Sequence, residues 1–247
     1  MKKTLPTGDA GERLSKRVAQ VVPCSRAQAE QYIEGGWVQV NGQVVEEPQF
    51  RVLNQAVAID PKASLLELAS VTLVLNKPPG VAWDKAHTLL SAASHCPHDP
   101  CDTRVLKRHF QKLENVVPLE TGANGLMVFS QDWRTVRKLS EDMGAMEHEL
   151  VVDVQGEVGA DTLKRITHAL NDERQALPHT KVSVNSATPE RSKLRFAIKG
   201  AHPGLAAHVC QLVKLEVLAM RRIRLGRVAL SDLPVGQWRY LEGHERF

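Results

Sequence analysis

Glu120 is the titratable residue with the most suggestive surroundings in this chain. It lies in the run from Pro118 to Leu126, whose Thr121-Gly122-Ala123-Asn124-Gly125 segment has turn-forming composition and leads into the apolar stretch Leu126-Met127-Val128-Phe129. A carboxylate held at the entrance of a buried strand can act on a bound substrate as an acid, a base or a nucleophile. Turns followed by apolar strands are common, so this run alone is a weak signal.

Cationic residues concentrate at the C-terminal end of the chain. Of the 247 residues, the last 57 hold 11 Lys and Arg against 4 Asp and Glu, whereas the whole chain has a formal net charge of +4. The arginines cluster at positions 221, 222, 224 and 227. Such a cluster favours a surface that contacts phosphate, although a solvated helix and strand edge would have the same composition.

The sequence gives little indication of a metal site, a membrane span or a signal peptide. The cluster from His95 to Asp102 contains His and Cys, but it lacks the second, distant pair of a zinc site, so a polar surface loop is the favoured interpretation and no metal is expected. Apolar runs are short, and Met1-Lys2-Lys3 is not followed by the apolar region of a signal peptide. We therefore expect a soluble, cytoplasmic protein whose four cysteines are reduced.

The N-terminal quarter predicts two helices and a hairpin. Helical spacing of apolar residues covers residues 12–34, and Ser25 with Gln28 forms a capping-box pattern at the start of the second helix. Trp37–Val40 alternates like a strand, and Asn41-Gly42 is a strong hairpin signal. Residues 1–62 are predicted to form a small domain, joined by a linker at 60–69 to a second domain at 63–247.

The second domain is predicted to be α+β with a mixed, mainly antiparallel sheet. Strands and helices interleave irregularly, and no Gly-rich phosphate loop is present. Strands are predicted at residues 71–75, 126–130, 150–154 and 194–198. Helices are predicted at residues 134–143, 161–170 and 205–218.

Several segments, in order, resemble the bacterial rRNA pseudouridine synthases that carry an RNA-binding module named after ribosomal small-subunit protein four (S4). The family's Arg-Leu-Asp-x-x-Thr-x-Gly-Leu pattern matches here at Leu119, Gly125 and Leu126, while Pro118, Glu120 and Ala123 replace its Arg, Asp and Thr. The other matching segments are Arg13–Val18, Cys24–Ala29, Val40–Gly42, Leu75–Val81, Val217–Gly226 and Leu233–Leu241.

The resemblance implies a cofactor-free reaction that detaches uracil from its ribose, rotates it and reattaches it through carbon. The Asp of the family corresponds to Glu120, its supporting Arg to Arg222, and its active-site Tyr to Leu150. The expected RNA contacts are Arg17, Ser25, Arg26, Asn41, Lys77, Arg221 and Arg224, and the partner is structured RNA, in particular rRNA, bound by a monomer.

Glu120 keeps the charge of Asp but is longer by one methylene, and a displacement of about 1 Å at a reacting group can cost about 100-fold in rate. Leu150 can neither donate nor accept a hydrogen bond. His148 is the nearest replacement base, with a strand-edge surface residue as the favoured alternative. The family's Arg-rich stretch before the last helix is replaced by Lys199-Gly200-Ala201-His202-Pro203-Gly204.

The resulting prediction is an RNA-binding family member with impaired or absent catalysis. One alternative is an active uridine isomerase that uses Glu120, with Arg222 as its bidentate partner. The other is a module that binds a protein or a metal. The third interpretation would gain support if Arg26 and the Arg221–Arg227 segment were buried or paired with acids.

Overall fold

The computed structural model describes residues 11–65, 69–174 and 176–247. Two compact units divide the chain: one comprises the residues up to Ser70 together with Arg104–Gln111, and the other comprises Val71–Thr103 and Lys112–Phe247. The predicted linker at 60–69 includes residues 66–68, which lie outside the described residues. No helix in the described ranges is long and apolar enough to cross a membrane.

The first unit contains two helices and two small sheets. Its elements are β1 (Glu12–Arg13), α1 (Leu14–Val21), α2 (Arg26–Glu34), β2 (Val38–Val40), β3 (Gln43–Val44), β4 (Arg51–Val52) and β5 (Val57–Ile59). Strands β3, β2 and β5 form one antiparallel sheet in that order, and β1 pairs with β4. The apolar residues of both helices and of β2 pack into one core.

Local sequence signals account for the turns of this unit. The Ser25 hydroxyl accepts from the amide of Gln28 at 3.2 Å, and the Gln28 side chain accepts from the Ser25 amide at 2.8 Å. This confirms the predicted capping box, which satisfies amides that the first helical turn leaves free. Asn41 and Gly42 both have positive φ, at 51° and 78°, as a two-residue hairpin turn requires.

The second unit is built on an eight-stranded sheet. Its strands are β6 (Thr72–Lys77), β7 (Asn124–Ser130), β8 (Glu147–Gln155), β9 (Thr180–Ala187), β10 (Arg191–Lys199), β11 (Val217–Leu225), β12 (Val228–Ala229) and β13 (Trp238–Tyr240). Its helices are α3 (Trp133–Glu141), α4 (Ala160–Leu170) and α5 (Leu205–Leu212). The strand order is β13-β6-β7-β11-β8-β10-β9, with β12 beside β11.

The sheet is mixed and mainly antiparallel, as predicted. The pairing of β7 with β11 is parallel, and the other pairings in this sheet are antiparallel. The predicted strands at 71–75, 126–130, 150–154 and 194–198 all form and extend slightly further. The described chain also contains β9, β11, β12 and β13, which are not among the predicted strands.

The predicted helix at 205–218 is too long. Helix α5 ends at Leu212, because Lys214 adopts a left-handed conformation with φ 60°. The amides of Lys214 and Leu215 donate to the carbonyls of Gln211 and Cys210 at 3.0 and 2.9 Å. This is the Schellman arrangement that closes a helix, here without the glycine that usually announces it. Strand β11 begins at Val217, three residues after Lys214.

Candidate active site

Gly125 determines how closely the two central strands of the larger unit approach. It lies in β7 with φ 113°, and in the parallel register it is the partner of Arg222 on β11. A Cβ atom at this position would lie 2.7 Å from the backbone nitrogen of Arg222 and closer still to its carbonyl oxygen. Only glycine fits a positive φ and such a close backbone contact. The glycine of the motif therefore brings the Arg222 main chain against the start of β7.

Arg222 holds the segment that carries Glu120. Its side chain is 2% exposed, and its guanidinium donates to the carbonyls of Leu126, Pro118 and Val117 at 2.7, 2.9 and 3.2 Å. Burial lowers the pKa of this guanidinium to about 10, an effect that the nearby Glu120 charge opposes. Within the described residues its hydrogen bonds go to main-chain oxygens, so the bidentate pair with Glu120 does not form.

The carboxylate of Glu120 caps a helix. Its Oε1 accepts from the amide of Gly204 at 2.6 Å, and Gly204 is the residue immediately before α5, with φ 86°. Negative charge is favourable at this end of a helix, where free amides and the helix dipole meet. The longer side chain of Glu120 therefore places its carboxylate in contact with the rebuilt loop at residues 199–204.

Lys77 is buried in the same region. The side chain has no exposed surface, and its ammonium donates to the carbonyls of Val81, Pro78 and Thr121 at 2.8, 3.0 and 3.3 Å. Burial and the charge of Arg222 lower its pKa to about 8, while Glu120 acts in the opposite direction. This position does not match the expected RNA contact, because the ammonium faces main-chain oxygens inside the unit.

The space beside Glu120 is nearly filled. A cavity of about 10 Å³ lies among residues of the motif segment, β8, the 199–204 loop and β11; its lining is Pro118, Leu119, Glu120, His148, Leu150, Ala201, His202, Pro203 and Arg222. That volume accommodates about one water molecule. Leu150, at the position of the family's tyrosine, is 2% exposed and presents only hydrocarbon to this space. A nucleobase does not fit beside Glu120 in this conformation.

His148 is a buried residue of β8, so its interpretation as a surface residue is wrong. Its side chain is 4% exposed, and its Nδ1 has no hydrogen-bond partner. Burial lowers its pKa to about 3, and the charges of Arg222, His202 and Arg224 act in the same direction. The imidazole is therefore neutral at physiological pH, as a base must be, but it is a weak one.

The expected RNA contacts of the first unit lie at its surface. Arg26 opens α2 with an exposed side chain and pairs with Glu30 at 3.0 Å, one helical turn away. Such exposed pairs stabilise weakly and leave the cation available. Arg17 pairs with Glu12 and donates to the Leu53 carbonyl at 2.9 Å. Ser25 and Asn41 have structural tasks: Ser25 caps α2, and the Asn41 side chain accepts from the Ala56 amide at 2.9 Å.

The two arginines expected on β11 differ in availability. Arg224 is half-buried and pairs with Glu147 at 2.6 Å and with Glu149. Arg221 is also half-buried, and its Nε has no hydrogen-bond partner. Three of the cations in this part of the sequence are thus arranged differently: Arg222 is inside, Arg224 is bound to acids, and Arg221 is incompletely paired.

The His95 cluster is packed into the larger unit. His95 Nε2 lies 2.8 Å from an oxygen of Asp99, and its ring centroid lies 4.4 Å from that of Trp238 on β13. The same Asp99 oxygen accepts from the amide of Tyr240 at 2.8 Å. No group of three metal-ligating side chains occurs among the described residues. The segment is a loop with Pro97, His98, Pro100 and Asp102 exposed, as predicted, while His95 and Asp99 anchor it on β13.

The segment Arg104–Gln111 belongs to the smaller unit, although no pattern in the sequence predicted this. Arg104 places its guanidinium 4.3 Å from the centroid of the Trp37 ring and donates to the Gly36 carbonyl at 2.8 Å. Lys107 pairs with Glu47, and its amide donates to Glu46 at 2.6 Å. These residues are about 60 positions away from their partners, and no local pattern announces such a contact.

Comparison with known proteins identifies both parts of the chain. Residues 12–56 match the S4 domain. An uncharacterized RNA pseudouridine synthase of Aquifex aeolicus is 25% identical over 237 residues, covering 94% of both chains. The ribosomal large subunit pseudouridine synthase B of Bacillus subtilis is 24% identical, covering 95% of this chain and 93% of its own length.

The fold is also similar to that of a solved structure. A crystal structure of a pseudouridylate synthase superimposes with a TM-score of 0.55 over 94% of this chain and 96% of its own, at 16% identity. Residues 12–56 thus resemble an S4 domain, and the chain is similar over nearly its whole length to proteins named RNA pseudouridine synthases.

Proposed function

We propose that this protein is an RNA-binding member of its family that does not isomerise uridine. The observation that carries the proposal is the capture of Glu120 by the Gly204 amide beside a cavity of about 10 Å³. Isomerisation requires the target uridine to leave its stack and enter the site, which costs a few kcal/mol. A filled site offers no binding energy to offset that cost.

The surrounding residues support the same proposal. Leu150 supplies no hydroxyl, and Arg222 is occupied by three main-chain carbonyls. These positions retain the architecture of the family, while the groups that would act on uracil are missing or engaged. Arg222 and Glu120 therefore act as structural residues, and no cofactor is needed for either role.

RNA binding is assigned to the first unit. The relatives are named RNA pseudouridine synthases, and the S4 match covers the two helices and the hairpin that present Arg17 and Arg26. The partner that we propose is structured RNA, specifically rRNA, bound by a monomeric cytoplasmic protein. Electrostatic contact to phosphate would supply most of the affinity, with the salt dependence that this entails.

Tritium release from rRNA labelled at carbon five of uridine tests the catalytic part. The assay compares the wild type with Glu120→Ala and uses the B. subtilis relative as a positive control. Binding of the same RNA is measured across salt in parallel. We expect salt-sensitive binding without release. Glu120-dependent release would establish the alternative, an active isomerase, whereas absence of both signals would leave a protein-binding module.

A further inference from the structure

The sheet of the larger unit has one strongly basic face. Pairing across four neighbouring strands places ten charged side chains on the same side, and we call this set the basic sheet face. The cations are Lys181 on β9, Arg191, Lys193, Arg195 and Lys199 on β10, and Arg221 and Arg224 on β11; the carboxylates are Glu147, Glu149 and Asp153 on β8.

Strand register and burial establish that these side chains share a face. Ala197 lies directly opposite both Glu149 and Lys181, and directly paired residues point to the same side of a sheet. The intervening residues Leu194, Phe196 and Ile198 have no exposed surface. Alternation along β10 therefore divides an apolar buried side from a charged side that reaches solvent.

The charge balance of this face is unusual. Seven cations and three carboxylates give an excess of four positive charges, which equals the formal net charge of the whole chain. Each carboxylate already has a cationic partner: Asp153 pairs with Arg191, Glu149 with Arg195 and Arg224, and Glu147 with Arg224. The remaining positive charge is available to an external anion.

Three lysines carry most of that available charge. Lys181, Lys193 and Lys199 are exposed, and no ion pair involves them within the described part of the chain. On β10 the cations extend from Arg191 to Lys199, a length of about 27 Å at 3.4 Å per residue. A row of four cations of this length, interrupted at Ala197, matches an extended polyanion rather than a single small anion.

The uncharged positions indicate which polyanion this is. The directly paired uncharged positions hold small or polar side chains, namely Val151, Gln155, Ser183, Ser186, Ala197 and Ala219, and one exposed large apolar residue, Leu218, lies beside them at the bulge of β11. Protein interfaces are anchored by clusters of buried aromatic or large aliphatic residues, and these paired positions provide no such cluster. Nucleic-acid interfaces are polar, wet and positively charged, and the phosphate backbone needs no apolar anchor.

We propose that the basic sheet face binds the phosphate backbone of the RNA as a second contact area, additional to the S4 domain. This inference rests on the proposed RNA-binding function and deepens it. The face contributes electrostatic affinity without reading sequence, since lysines contact phosphate as mobile point charges. It also supplies cationic contacts that residues 200–204 of the rebuilt loop do not provide.

The test compares two triple variants with equal loss of charge. The first, Lys181→Gln/Lys193→Gln/Lys199→Gln, removes the unpaired lysines of the basic sheet face. The second, Lys85→Gln/Lys138→Gln/Lys164→Gln, removes three exposed lysines located elsewhere in the same unit. Binding of total rRNA is measured between low and physiological salt for both variants and the wild type, and thermal unfolding verifies that all three are folded.

We expect the face variant to bind about tenfold more weakly than the wild type and to lower the slope of log affinity against log salt by about 2, because each phosphate contact adds about 0.7 to 0.9 to the slope. The control variant should change both quantities much less. Equal effects of the two variants would overturn the inference while leaving RNA binding intact. Absence of wild-type binding would instead overturn the proposed function.

An acidic protein partner gives a different pattern. Poly-glutamate serves as the probe for that alternative. Wild-type binding to poly-glutamate as strong as its binding to rRNA, lost in the face variant, would contradict an RNA-specific role for this surface.

Discussion

Residues that match the family pattern are exposed in the S4 domain but buried in the motif region, which is the part of the larger unit around Glu120, Arg222 and Lys77. In the first, Arg26 is exposed beside a helix start and its ion pair with Glu30 is weak. In the second, Arg222 and Lys77 are buried and donate to main-chain carbonyls. Residues that match the family pattern are therefore exposed in one region and serve the main-chain architecture in the other.

This difference has a physical origin. A surface cation contributes little to the stability of its own chain, whereas a buried cation is required by the carbonyls that it satisfies. Removing the buried one leaves polar groups without partners, at a cost of several kcal/mol. Mutation should thus separate the two regions cleanly, with stability responding in one and RNA affinity in the other.

The largest effect is expected for Gly125→Ala. The new Cβ would collide with the backbone of Arg222, and φ 113° is unfavourable for alanine, so the free energy of unfolding should fall by more than about 4 kcal/mol. Urea unfolding measures this change. Gly122→Ala is the matched control, because a Cβ there meets no atom within 4 Å, and it should change stability by less than about 1 kcal/mol. Similar values for both variants would contradict the close strand contact.

Arg222→Met should lower the free energy of unfolding by about 3 to 5 kcal/mol, because three buried carbonyls lose their donor. Arg26→Met, at an exposed position, should change it by less than about 0.5 kcal/mol. Denaturant titration of both variants compares the two regions directly. A neutral or stabilising Arg222→Met would show that the guanidinium is not structural.

The dependence of the free energy of unfolding on pH should show whether water reaches His148 in the cavity beside Glu120. Because the pKa of His148 is lowered from 6.5 to about 3, the unfolded chain binds one more proton between these values. Stability should therefore fall as pH is lowered from 6.5, by up to about 1.4 kcal/mol per pH unit from this residue. His148→Leu should remove that part of the slope, whereas exposed His244→Gln should not.

Buried His109, whose pKa is lowered to about 4, also makes stability fall at acid pH. This contribution to the slope remains in His148→Leu. Denaturant unfolding between pH 4 and 7 gives both slopes. An unchanged slope in His148→Leu would mean that water reaches the imidazole and that the cavity is open.

The smallest effect is expected for Arg26→Glu, which should weaken rRNA binding by about threefold to tenfold through reversal of one phosphate-facing charge. Lys77→Met should leave binding unchanged but lower stability, since its ammonium serves three carbonyls inside the unit. Arg137→Glu, on exposed α3, is the matched charge control. Weaker binding in Lys77→Met than in Arg26→Glu would reverse the assignment of the two regions.

Much of the fold was predictable, because its signals are local. The capping box at Ser25, the hairpin at Asn41-Gly42 and four of the eight strands of the large sheet were identified from short patterns. The end of α5 was not, since a left-handed lysine replaces the usual glycine. Burial of His148 and Lys77 was also missed, because it results from packing between distant segments.

The candidate site was predictable as a set of positions but not as an arrangement. Glu120, Leu150 and Arg222 do line one cavity, as the resemblance implied. Their hydrogen-bond partners are main-chain groups of Gly204, Leu126, Pro118 and Val117, which no side-chain pattern can reveal. The filling of the site therefore became apparent only in three dimensions.

Single-turnover tritium release with the wild-type protein in excess over labelled rRNA is the direct test of whether the Glu120 site isomerises uridine. Excess protein removes turnover and product release from the result, so that a single isomerisation per bound uridine would register. We expect no release above the level of Glu120→Ala while the RNA is bound. Release by the wild type that Glu120→Ala abolishes would contradict this expectation, because the filled cavity would then have to open around a flipped uridine.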